Sequence, residues 1–270
     1  MKTPHTAEPA ADSSAAKPQG LARRRIRVGV GGWTHAPWRD NFFPKGLPQQ
    51  EELGYASRQL TAIEVNGTYY RSFKPSAFAS WRDQTPDDFM FSVKASRFAT
   101  NRKELAGARE PIERFVGSGI AQLGAKLGPI VWQFMPTKRF EPDDFEAFLA
   151  LLPPSVDGRP LRHVLDVRHD SFLSPDYLPL ARRYGCATVH TDAQQFPAIV
   201  DDRSDVAYIR LMRSQADCPT GYAVERLDDW AQGARAWTER EPTREVFIYF
   251  INGAKERAPA AALELIRRIS

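Results

Sequence analysis

Glu64, Lys94 and Asp166 are the residues of this chain best suited to acid–base or nucleophilic chemistry. Glu64 lies in the segment TAIEVN, Lys94 ends FMFSVK and Asp166 lies in HVLDVR. Each stands near the end of a short, otherwise mostly apolar run. Two carboxylates in unequal surroundings can split in pKa, so that one donates a proton while the other accepts it. Lys94 offers a point positive charge; as a Schiff-base amine it would need a depressed pKa, and Glu64 nearby is expected to keep it charged. Arg168 and Arg210 add guanidinium groups that grip phosphate or carboxylate in bidentate fashion. Asn66, Gln133, His190, Asp192 and Asn252 stand at the ends of similar segments. Trp33, Tyr69 and Tyr70 could stack on a sugar ring or a base, with Arg71 beside them.

These residues sit on a repeating pattern of strand and helix. Strands are expected at 25–31, 61–66, 89–94, 129–134, 163–168, 187–191, 205–211 and 246–252. Helices are expected at 47–60, 75–83, 111–123, 143–152, 175–184, 226–240 and 259–269. Strict alternation implies parallel strands and right-handed crossovers. Eight units over residues 25–270 fit one α/β domain, a (β/α)8 barrel of the TIM type. Residues 194–203 show no helical period, so the crossover after the sixth strand should be irregular. An open doubly wound sheet is the alternative. There is no G-x-G-x-x-G fingerprint, no phosphate loop of the nucleotide-triphosphatase type and no H-E-x-x-H. In a barrel, strand residues alternate between the interior and the helices. Ile63 and Val65, Phe91 and Val93, Leu165 and Val167, and Phe247, Tyr249 and Ile251 are expected to face the helices. The opposite phase then points Glu64, Asn66, Lys94, Gln133, Asp166, Arg168, His190, Arg210 and Asn252 inward, with Asp192 just beyond. All would lie at the C-terminal mouth, where barrel active sites are built.

Composition narrows the function. The chain has 270 residues, 42% of them hydrophobic and 26% charged, ordinary for a globular protein. Its longest apolar run, 246–251, is too short to cross a membrane. Two cysteines make no disulfide framework. The net charge is +4, and about half of it sits in residues 1–24. A nucleic-acid face would therefore require local clustering of bases. Residues 1–24 are rich in Ala, Pro and Ser, are expected to be disordered and carry no secretory signal. A cytoplasmic location is the expectation. No cofactor is expected. Glu64, Asp166 and Asp192 would suit a hard divalent ion, whereas the histidines lack metal-like spacing.

The ordered motifs resemble the YecE-like family, domain of unknown function 72. The resemblance rests on Gly29-x-x-Gly32-Trp33 with Trp38 and Phe42-Phe43-Pro44, and on Glu64-x-Asn66-x-Thr68-Tyr69-Tyr70-Arg71. It continues through Trp81, Thr85-Pro86, Phe89-x-Phe91-Ser92-Val93-Lys94 and Lys126-Leu127-Gly128-Pro129, with Gln133 and Pro136. Val167-Arg168-His169-x-Ser171-Phe172, Tyr208-x-Arg210, Tyr249-Phe250 and Asn252 complete it. The resemblance implies a TIM-barrel-like fold and brings no settled activity. Three positions depart from the family pattern. Asp166 replaces a usual Glu, and Met212-Arg213 replaces a usual His-Gly.

The residues favour an enzyme acting on a small polar or anionic substrate, phosphorylated substrates included, with carboxylates as acid and base and Lys or Arg as anion binders. A glycosidase is a variant of that reading. One alternative is a protein that binds or processes nucleic acid along Lys94, Arg168, Arg210, Arg71, Arg97 and Arg102. Another is a non-catalytic ligand sensor or interaction module. No membrane partner is expected, and the oligomeric state is left open.

Overall fold

The computed structural model describes residues 25–241 and 243–270. The tail expected to be disordered lies outside the described residues. Eight parallel strands close a barrel: β1 Ile26–Gly31, β2 Ala62–Val65, β3 Met90–Lys94, β4 Leu127–Gln133, β5 His163–Asp166, β6 Cys186–Thr191, β7 Val206–Leu211 and β8 Glu245–Phe250. Their order around the barrel follows the chain, and β8 closes on β1. The open-sheet alternative is excluded by that closure. A two-residue hairpin, Ser155–Val156 with Arg159–Pro160, stands apart.

The helices are α1 Glu52–Gln59, α2 Pro75–Gln84, α3 Arg109–Val116, α4 Pro142–Leu149, α5 Tyr177–Arg183, α6 Val224–Arg240 and α7 Ala258–Ile269. Proline occupies the first turn of α2, α4 and α7, where its missing N–H costs nothing. The third helix is shorter than its pattern suggests. It stops at Gly117, and Gly119 turns the chain with φ 107°, a conformation suited to glycine. A 3-10 segment, Ile120–Lys126, follows. No helix joins β6 to β7 among the described residues, as the missing period implied. None of the described helices is long and apolar enough to cross a membrane.

Two apolar layers result. Strand residues such as Ile63, Val93, Leu165 and Ile209 pack outward with the helices. Ala62, Val131, Val164, Ala187, Val206 and Phe247 fill the lower interior. The expected phase of β8 is wrong. Val246, Ile248 and Phe250 face the helices, while Phe247, Tyr249 and Ile251 face inward. Register explains this, because Phe247 pairs with Tyr208 and Tyr249 with Arg210, both interior residues. The sequence VFIYF is apolar in both phases, so its period carries no direction.

β1 adds no large side chain at the top of the interior. A Cβ on Gly29 would lie 1.8 Å from the carbonyl oxygen of Ala62. That contact is with backbone and can be relieved only by parting β1 from β2. Gly29→Ala should therefore destabilise the fold by about 3 kcal/mol or more. Gly233 in α6 differs, since its added Cβ would meet only Trp237 at 3.8 Å. Gly233→Ala should stabilise by about 0.4–1 kcal/mol. Thermal denaturation reads both, because each kcal/mol moves Tm by roughly 2–4 °C at this size. A Gly29→Ala protein melting with wild type would refute the close approach.

Candidate active site

Six of the expected residues converge on one layer at the C-terminal mouth. Glu64 ends the interior face of β2, Lys94 that of β3, Gln133 that of β4 and Asp166 that of β5. Arg210 enters from β7, and Arg168 folds back from just beyond β5. Glu64 is 0% exposed, Arg210 1%, Asp166 2% and Lys94 5%. Burial of so much charge is costly unless every group is paired.

Arg210 supplies most of the pairing. Its Nη2 donates to Glu64 Oε1 at 2.9 Å. Its Nη1 donates to Asp166 Oδ2 and, at 3.1 Å, to Gln133 Oε1. Arg168 Nη2 donates to the same Asp166 oxygen and to Gln133 Oε1, both at 2.9 Å. Tyr208 Oη donates to the second oxygen of Glu64 at 2.8 Å. Ser92 and Tyr249 share a hydrogen bond of 2.8 Å in the same interior. Tyr208 and Tyr249 belong to the layer although the sequence reading passed over the first and turned the second outward. The spacing Tyr208-x-Arg210 places both on one face, a signal that was present.

The charges then balance in part. Two carboxylates face two guanidinium groups, and Lys94 is left over. Its ammonium forms no ion pair among the described residues. It rests 4.1 Å from the centre of the Tyr69 ring, a cation–π contact. Burial, and next the positive charge of Arg210, pull its pKa from 10.5 down to about 7, against the opposing pull of Glu64 and Asp166. Glu64 therefore does not hold Lys94 at its ordinary value, contrary to expectation. For Asp166, burial acts upward, but Arg168 and Arg210 outweigh it and hold the carboxyl below its ordinary value. The raised acid that a split carboxylate pair requires is thus not Asp166.

The other candidates lie elsewhere. His190 points out of the barrel, against Trp230 and Trp237 of α6, with Nδ1 beside the Ile199 carbonyl. Thr191, paired with Arg210, takes the interior place. Burial lowers the His190 pKa. Asp192 accepts from Met212 N at 2.6 Å and Tyr222 Oη at 2.8 Å, tying two loops together. Asn252 lies beyond β8, exposed, and its carbonyl accepts from Ser214 Oγ. Trp33, Asn66 and Arg71 share a separate cleft of about 310 Å³. Tyr69 is buried against Lys94, whereas Tyr70 is 62% exposed. Asp192 cannot join Glu64 and Asp166 around an ion while it holds these loops. No cluster of three or more His, Cys, Asp or Glu suited to a metal ion occurs among the described residues. Phe196, from the irregular crossover, was not anticipated; its ring covers the Arg168 guanidinium at 4.5 Å.

Arg210→Met should cost about 3–5 kcal/mol, because Glu64 and Asp166 would keep their buried charges without their shared partner. Chemical denaturation measures it, and a loss under about 1 kcal/mol would refute the pairing. The Lys94 pKa gives a second expectation. Between about 7 and 10.5 the unfolded chain holds the proton that folded Lys94 releases. The unfolded state then binds more protons, so stability rises with pH across that window. Lys94→Met removes this contribution. The stability of wild type relative to Lys94→Met should climb by a few kcal/mol from about pH 7 to pH 9.5. A difference that stays constant would return Lys94 to an ordinary pKa.

Comparison with known proteins places this chain in a family. The model described as "Protein of unknown function DUF72" matches residues 27–270. The UPF0759 protein YecE of Escherichia coli K12 is 28% identical over 149 residues, 55% of this chain and 50% of its own length. The chain thus spans about half the length of the curated relatives it matches. A DUF72 family protein of Thermotoga maritima MSB8 superposes with a TM-score of 0.69 at 20% identity, covering 90% of this chain and 98% of that one. A DUF72 family protein of Enterococcus faecalis V583 gives 0.66 at 17% identity over 90% and 94%. SacUVDE gives 0.56 at 10% identity over 90% and 97%. At these identities the solved structures share the fold. With the family model matching nearly the whole described chain, the protein belongs to the DUF72 family.

Proposed function

We propose that the barrel mouth binds a small anionic substrate at Lys94 and Arg168, and that Lys94 transfers the proton in the reaction performed there. One observation carries this reading. Five charged side chains meet in a buried layer, four pair with one another, and Lys94 is the cation left without a counter-charge. An anion of the substrate would complete the set.

The rest of the layer supports the same assignment. Arg168 is about one-tenth exposed and stacks on Phe196. It can therefore meet an incoming carboxylate or phosphate with its outer edge while Asp166 and Gln133 fix its inner edge. An amine with a pKa of about 7 exists in both forms at neutral pH, as a proton-transfer group requires. Glu64 and Asp166 hold the guanidinium groups in place and keep Lys94 in a field of mixed sign. In this reading they position the arginines and do not move protons. A substrate anion beside Lys94 would raise its pKa, so binding and protonation are coupled.

Sulfate and glycolate make suitable probes, since neither titrates between about pH 6 and pH 9. Calorimetric titration of wild type should show affinity falling up to about tenfold per pH unit above 7. Lys94→Arg, charged throughout, should give a flat profile, and Lys94→Ala should bind weakly at every pH. Circular dichroism of each variant checks the fold. A wild-type profile matching that of Lys94→Ala would overturn the assignment.

A further inference from the structure

The loops after β2, β3 and β4 form one continuous sector of the mouth with an unusual surface. Tyr70 stands in the first loop at 62% exposure, Phe98 in the second at 59% and Met135 in the third at 41%. Tyr70 and Phe98 each sit on a one-turn helix, Gly67–Tyr70 and Arg97–Thr100. Large apolar side chains so exposed lose the burial that normally holds them inside. The same three loops, residues 66–74, 95–108 and 134–141, carry seven Lys and Arg against two Glu. That surplus exceeds the +4 of the whole chain, so the remaining residues are slightly acidic together. The clustering that overall charge could not reveal is present here.

The cations are largely uncommitted. Arg71, Lys74, Arg97, Arg102, Lys103 and Arg139 form no ion pair among the described residues. Arg97 lies 5.4 Å from the Phe98 ring centre, and Arg71 lies 4.7 Å from that of Phe73. Two neighbouring recesses run through the sector. One lies between the β2 and β3 loops, beside Tyr70, Arg71 and Phe98. The other, about 560 Å³, lies between the β3 and β4 loops, beside Arg102, Lys103, Met135 and Arg139. The loops are tied to one another. Tyr69 Oη donates to Asn101 at 3.3 Å, and Lys138 Nζ donates to the Lys103 carbonyl at 2.8 Å.

We infer that this sector binds single-stranded nucleic acid, with Tyr70 and Phe98 as stacking platforms and the loop cations on the phosphates. The two parts of the surface select this partner together. Unpaired cations along a groove favour a polyanion. Exposed rings among them favour one whose flat groups are free to stack, which a duplex or an acidic peptide does not provide. This surface lies outside the buried Lys94 layer, and its test does not depend on the anion site.

Fluorescence anisotropy with a labelled, mixed-sequence DNA strand of about 12 nucleotides tests it. The full chain should bind it, with log K falling against log salt by about 0.7 for each phosphate contacted. Tyr70→Ala and Phe98→Ala should each weaken binding about tenfold with little change in that slope. Replacing both Arg97 and Arg139 by Ala should reduce the slope by about 1.4. Three results would overturn the inference: an abasic strand of the same length binding as tightly, a duplex or polyglutamate binding as tightly, or no binding at about 50 mM salt. Since the substituted rings and cations are surface residues, loss of fold is easily separated by melting temperature.

Discussion

Arg210 places one guanidinium group across the barrel lumen, and the upper interior is organised around it. From β7 it reaches Glu64 on β2, Gln133 on β4 and Asp166 on β5. These strands are not its neighbours in the sheet, so the contacts span the barrel instead of following it. Below this layer the interior is largely apolar, closed toward its lower end by Arg27 and the Arg162–Glu245 ion pair. A filled apolar core of the same volume would be as stable, often more so, than a buried ion network. Stability alone thus gives no reason for the layer. Its consequence lies in the field it creates, since burial together with Arg210 brings Lys94 to a pKa of about 7.

Local pattern made the larger part of the architecture legible. Eight apolar runs separated by amphipathic ones lead directly to a parallel barrel, and each observed strand begins and ends within about two residues of its expected bounds. The irregular crossover was equally readable, because the absence of a period is itself a local property. The polar residues Glu64, Lys94, Gln133, Asp166 and Arg210 stood out for one reason. Each was a strongly polar side chain in a strand whose other phase was largely apolar.

Where both phases look alike, the direction was lost. In β8, VFIYF offers apolar residues on both sides. In β6, both phases of Cys186–Thr191 mix small or apolar residues with polar ones. Orientation there is fixed by pairing with β7, where Tyr208 and Arg210 set the interior face for Val189 and Thr191 on one side and for Phe247 and Tyr249 on the other. Register between strands distant in the chain is not a property of either segment. For the same reason His190 appeared to belong to the mouth, although it packs beneath α6. The Lys94 pKa was misjudged because burial and the charge of Arg210 outweigh Glu64 on the neighbouring strand, whose carboxylate Arg210 and Tyr208 already share.

The buried layer and the exposed basic sector meet at β3. Lys94 ends the strand, and its carbonyl accepts from Thr68 Oγ1 in the β2 loop at 2.7 Å. Phe98 follows four residues later on the surface. The β2 loop, which carries Arg71 and Lys74, also sets the Tyr69 ring against the amine. A field of one sign at the rim of a recessed site concentrates anions there, and it weakens as salt rises. On the proposed reading, the rim and the layer beneath it would act on one class of ligand through different physics: solvated cations would draw an anion to the mouth over long range, and the buried ammonium that the ion network leaves uncompensated would recognise it at short range.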